Sequence, residues 1–123
     1  MISLEYIAGF FDGEGSIFPD WGNNEVGVTV GNRVLEVLTL IEERVGGTPH
    51  TDSTGFTRLK FTSKGSMRNV LTLLLPHLII KRRQAELALV FLSTPPKPDI
   101  NKLLRHKILL AIEELNKRTR RMK

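Results

Sequence analysis

The stretch Leu4-Glu5-Tyr6-Ile7-Ala8-Gly9-Phe10-Phe11-Asp12-Gly13-Glu14-Gly15 decides how the rest of the chain is read. Apolar residues at Leu4, Ile7, Phe10 and Phe11 recur at intervals of three and four, which predicts a short helix over residues 3–13. Gly9 and Gly13 are four apart, so on a helix they share a face without side chains, where another backbone can approach closely. Gly13 and Gly15 flank Glu14 and let the chain turn sharply, leaving a carboxylate where the helix dipole is already negative. That placement gains no stability by itself and suggests a cation, and oxygen-rich sites suit magnesium or calcium. The plain alternative is that Asp12 and Glu14 are polar turn residues after an apolar helix. If two copies pack through the Gly9/Gly13 face, both Glu14 carboxylates meet near the symmetry axis.

A length of 123 residues predicts one domain over residues 1–123, and 41% hydrophobic with 25% charged residues is an ordinary globular composition. The net charge of +5 favours an anionic partner, nucleic acid before an acidic membrane. Cysteine is absent, which excludes disulfides and thiolate metal sites. The first residues carry Glu5 and Asp12 and no basic segment, so no signal peptide is expected. The apolar run from Val70 to Ile80 is broken by Pro76 and His77 and falls short of the roughly 20 residues that span a bilayer. The expectation is a soluble intracellular protein without a membrane partner.

Along the chain, Ser16-Ile17-Phe18 starts a strand, and Val26, Val28 and Val30 alternate with Gly27, Thr29 and Gly31 as in a half-buried antiparallel strand. From Val34 to Val45 the period becomes helical, with Val34, Leu35, Leu38, Ile41 and Val45 inward, and Gly46-Gly47 stops it. Residues 48–52 and 56–61 read as a second hairpin around Ser53-Thr54-Gly55. Ser63 caps a helix that runs to Pro76, and residues 84–92 form another. After the connector Thr94-Pro95-Pro96-Lys97-Pro98, a helix over 99–118 turns Leu103, Leu104, Ile108, Ala111, Ile112 and Leu115 inward, and residues 119–123 form a basic tail. The order is αββαββα with C-terminal helices, an α+β fold with a mainly antiparallel sheet; residues 1–93 make its core.

Arg58 and Lys60 alternate with buried residues, so they project from one sheet face where Thr29 can join them, and a two-stranded ribbon fits the DNA major groove. Ordinary surface charge is the alternative. Lys81-Arg82-Arg83 is either a solvated basic loop or a phosphate contact, and a lysine near a metal-bound water can organise it or offset transition-state charge. Any contact from the tail would go to phosphates. Asn32 continues the valine face of its strand; it either positions water beside the acidic end or caps the next helix. His50, His77 and His106 lack zinc-site spacing, and no Walker, GxSxG or dinucleotide fingerprint occurs.

Ala8-Gly9-Phe10-Phe11-Asp12-Gly13-Glu14-Gly15 resembles the diagnostic motif of the LAGLIDADG homing endonucleases, and Lys81-Arg82-Arg83-Gln84-Ala85-Glu86-Leu87-Ala88-Leu89 is similar to that family's downstream Lys-x-x-Gln-Ala-x-Leu-Ala-Leu segment. The resemblance implies a sheet forming a DNA-binding saddle and motif helices packed at a dimer interface, here through Ala8, Gly9, Asp12 and Gly13. It implies that Glu14 of both subunits, with backbone near Gly13, binds the metal: magnesium, with calcium or manganese as substitutes. Lys81 corresponds to the lysine supporting catalysis and Asn32 to a polar residue near the water network; Thr29, Arg58, Lys60, Arg82 and Arg83 are the expected DNA contacts. With one motif, the implied protein is a homodimer that cuts both strands of double-stranded DNA at a palindromic or near-palindromic site, in the manner of intron homing. The alternative is a noncatalytic binder of the same fold, an RNA-splicing maturase or a transcription regulator. Two departures stand out: the first hairpin is short and presents Phe18, Asp20, Gly27 and Thr29, and Glu14 replaces the commoner aspartate.

Overall fold

The computed structural model of the chain describes residues 1–122, with side chains through Arg120. Ser3 caps helix α1 (Leu4–Glu14), its hydroxyl accepting from the Tyr6 N–H at 3.1 Å, and the helix buries Ile7, Ala8, Phe11 and Asp12. Strand β1 (Gly15–Asp20) follows without a loop and pairs antiparallel with β2 (Glu25–Asn32). Helix α2 (Leu35–Val45) leads to the hairpin β3 (Thr48–Thr51) and β4 (Thr57–Phe61). Helix α3 (Lys64–Leu74) ends in a single 3₁₀ turn, Leu75–His77, where Pro76 stops it; α4 (Arg82–Leu92) and α5 (Asp99–Met122) complete the chain. The expected αββαββα order with C-terminal helices is present, in an α+β fold.

The four strands form one antiparallel sheet in the order β1-β2-β4-β3. Period-two alternation sends Ile17, Val26, Val28, Val30, Leu59 and Phe61 to the helix-covered side, where they join apolar residues of all five helices in one core. Gly47 is required between α2 and β3, because its φ of +102° is left-handed and an added Cβ would lie 2.7 Å from the Leu59 side chain.

Three expectations change. Val34 and Leu35 are exposed, since α2 begins only at Leu35 and its inward stripe is Leu38, Ile41 and Val45. Leu103 and Leu104 are also exposed, because α5 turns Arg105, Ile108, Leu109 and Ile112 inward instead. Residues 119–122, expected as a tail, continue α5, while the tail's last residue, Lys123, lies outside the described residues. Helix α5 runs beside edge strand β1, and the Asn116 side-chain N–H donates to the Ile17 carbonyl at 2.7 Å. An otherwise open strand edge is thereby covered.

Candidate nucleic-acid interface

The sheet face away from the helices carries the chemistry. Strand register sets Ser16 opposite Thr29, Thr29 opposite Lys60, and Gly31 opposite Arg58, so the hydroxyls and cations expected on one face are neighbours. They open onto a groove of about 610 Å³. Its floor includes Ser16, Phe18, Thr29, Arg58 and Lys60; Lys81 closes one end, and α5 supplies a wall of Asn116, Thr119 and Arg120. Four cations and no carboxylate line it among the described residues. Such a groove attracts polyanions, most strongly at low salt.

The acidic end of α1 adjoins this groove, since Gly15 is one of its lining residues. Asp12 and Glu14 take opposite roles there. The Asp12 carboxylate, 6% exposed, accepts the Ile79 N–H at 2.8 Å and the Lys81 N–H at 2.9 Å. The Lys81 ammonium returns to donate to the Asp12 carbonyl at 2.6 Å, near the negative end of the helix dipole. This reciprocal clamp fixes the first residue of the Lys81-Arg82-Arg83 run against α1. Glu14 is exposed, and no hydrogen bond or ion pair engages its carboxylate among the described residues.

The remaining expected residues divide. Gly9 and Gly13 are exposed, and a Cβ added at either would meet nothing within 4 Å, whereas Ala8 and Asp12 face their own core and are withdrawn from that surface. Arg82 and Arg83 are exposed but do not line the groove, and Arg83 pairs with Glu86 one turn on at 3.6 Å. The Asn32 side-chain oxygen accepts the Val34 N–H at 2.8 Å, a turn just ahead of α2 and not a cap of it, because Val34 is the residue that precedes the helix and no side chain caps its first turn. Arg58 stacks 4.8 Å from the Phe56 ring centre and approaches Asp52 at 3.9 Å. The Thr54 hydroxyl and N–H, bonding to Asp52, hold its carboxyl below the ordinary carboxylate range.

Two features escaped sequence reasoning. The α5 wall is one, because Thr119 and Arg120 fall in the stretch 119–123 expected as a basic tail, whereas the helix carries them along the groove beside Asn116. Gln84, 2% exposed, donates to the Thr119 hydroxyl at 3.1 Å and to the Asn116 side-chain oxygen at 3.4 Å, tying the turn after Lys81 to that wall. Only its place in the Lys-x-x-Gln segment marked it. Among the described residues no group of three or more His, Cys, Asp or Glu side chains could hold a metal, and no helix is long and apolar enough to cross a membrane.

No protein-family model and no curated protein matches the chain. Solved structures do. The homing endonuclease I-CvuI, in complex with the I-CreI target in the presence of magnesium and with the DNA not cleaved, superposes with a TM-score of 0.81 at 23% identity, over 91% of this chain and 80% of that one. The archaeal intron-encoded homing endonuclease I-Vdi141I, complexed with DNA, gives 0.80 at 15% identity over 91% and 82%. The homing endonuclease I-TnaI gives 0.76 at 17% identity over 98% and 97%. With the sheet order, the motif helix and the cationic open face all in place, this chain has the fold of the LAGLIDADG homing endonucleases.

Proposed function

We propose that the chain is a site-specific, divalent-metal-dependent DNA endonuclease that acts inside the cell as a homodimer of single-domain subunits, residues 1–123. The observation that carries this reading is an exposed carboxylate, Glu14, at the end of α1, where a cationic groove begins and a buried lysine is clamped. In binding, Arg58, Lys60 and Arg120 offset phosphate charge, and the Ser16 and Thr29 hydroxyls face the bases. The Lys81 ammonium, held against the α1 terminus, counters negative charge that develops on the scissile phosphate.

The donor chemistry fits a hard cation, magnesium first and calcium or manganese as substitutes, but among the described residues no group of three acids stands ready and, of the two acids at the end of α1, Glu14 alone is exposed. Close approach of two α1 helices at Gly9 and Gly13 brings in the partner's Glu14, and backbone near Gly13 completes the oxygen set. Glu14 of both subunits would hold the cation there, where it would supply charge stabilisation to the attacking and leaving oxygens of the phosphodiester. Two such subunits address a palindromic or near-palindromic site and both strands.

A second reading, a noncatalytic binder of DNA or intron RNA, draws on that same single carboxylate. Incubating the purified protein and magnesium with a DNA library that includes its own genomic insertion site separates the two. Cleavage is expected, with Glu14→Gln losing at least about a hundredfold in rate while retaining binding. A library bound but left uncut favours the binder.

A further inference from the structure

Phe18 sits on the open face of β1 directly opposite Gly27. A Cβ built on Gly27 would lie 2.3 Å from the ring's Cζ and 2.5 and 2.9 Å from its two Cε atoms. The Cε distances are too short for a point in the ring plane beyond Cζ, so the ring lies face-down on the glycine. Phe18 is half-buried, and the part of the ring left exposed helps to line the groove. Phe56 covers Gly31 in a similar way, but Arg58 is stacked on its outer side. No cation or second ring covers Phe18 among the described residues. The floor therefore presents one apolar plate, with the Ser16–Thr29–Lys60 row on one side and Asp20 and Glu25 on the other.

In a duplex major groove the apolar group on the base edges is the thymine C5-methyl. Proteins that stack unpaired bases use a succession of free rings, and here Phe18 stands alone. The geometry points to Phe18 as a specificity-determining residue that reads the methyl group of a thymine in double-stranded DNA. Gly27 belongs to the same device, because any side chain there lifts the ring off the sheet. The inference rests on the DNA-binding reading and adds to it a residue and a base.

The test uses the full chain without metal and a duplex recovered from a randomised pool. Each thymine is replaced in turn by uracil, which pairs identically but lacks the methyl. One thymine per half-site is expected to lose about fourfold in affinity on replacement, the worth of one buried methyl. Phe18→Ala and Gly27→Ala should bind thymine and uracil duplexes alike at that position while keeping their other preferences, and Phe18→Leu should keep part of the discrimination. The proposal is overturned if no thymine position responds, or if Phe18→Ala still discriminates at the same position. Tighter binding of single-stranded DNA or RNA that depends on Phe18 overturns it in favour of base stacking. Recovery of no duplex at all removes the DNA reading and this proposal together, whereas recovery without a uracil effect removes only the role of Phe18.

Discussion

At the scale of single residues, the two acids of the opening motif are separated by helix geometry. Positions two apart on a helix point to different sides, so Asp12 and Glu14 cannot both face a partner. Asp12 goes inward and satisfies two backbone N–H groups, and Glu14 goes outward. Replacing Asp12 with Ala leaves the Ile79 and Lys81 N–H groups without their acceptor. Denaturant titration should show a loss of about 3 kcal/mol. It should also loosen the Lys81 backbone, whose N–H loses its acceptor while the carbonyl that its ammonium meets is kept, so that cleavage falls further than stability alone explains; a variant as stable as the native chain would remove the clamp. The sequence made both acids conspicuous and carried the information that they diverge, but only the turn at Ile79 to Lys81 shows which is enclosed. Asn32 teaches the same lesson. Its strand position was legible, while its choice between water and the Val34 N–H depends on where α2 begins.

At the scale of elements, α5 differs most from expectation. Its sequence holds two overlapping apolar stripes, and periodicity favours the one with Leu103 and Leu104 because the other includes a cation. The helix buries the stripe with the cation. Arg105 donates to the Thr94 carbonyl at 2.6 Å and the Phe91 carbonyl at 3.3 Å, bonds Glu25 at 3.2 Å, and lies 4.0 Å from the Phe91 ring centre. A guanidinium can be buried when its donors are met by carbonyls and a carboxylate, which a hydropathy pattern does not register. Arg105→Met leaves the Phe91 and Thr94 carbonyls without their donor and should cost about 2 kcal/mol. Amide exchange should rise along α5 and in the β1–β2 turn, where Trp21 packs 5.4 Å from His106. Unchanged exchange would mean that apolar contacts hold α5 without Arg105.

At the scale of the whole molecule, the proposed second subunit is the decisive matter. The α1 face bearing Tyr6, Gly9 and Gly13 is exposed, and the glycines leave room for another backbone. Because a Cβ at Gly9 meets no other element within 4 Å among the described residues, Gly9→Leu should fold normally and gain about 0.5–1 kcal/mol from helix propensity. The same change should block close approach and weaken dimerisation at least about tenfold, as read by sedimentation equilibrium. A Gly9→Leu protein that associates like the native one would exclude this face as the interface. What the amino-acid sequence determined by itself was local: helix and strand periods, the glycine stop after α2, the element order, and the motif that placed Glu14 at a helix end. The tertiary structure decided which stripe of α5 is buried, which acid is enclosed, and that a helix walls the groove. Those choices depend on donors, acceptors and apolar surface brought together from distant parts of the chain, where satisfying a buried polar group outweighs the pattern of its neighbours in sequence.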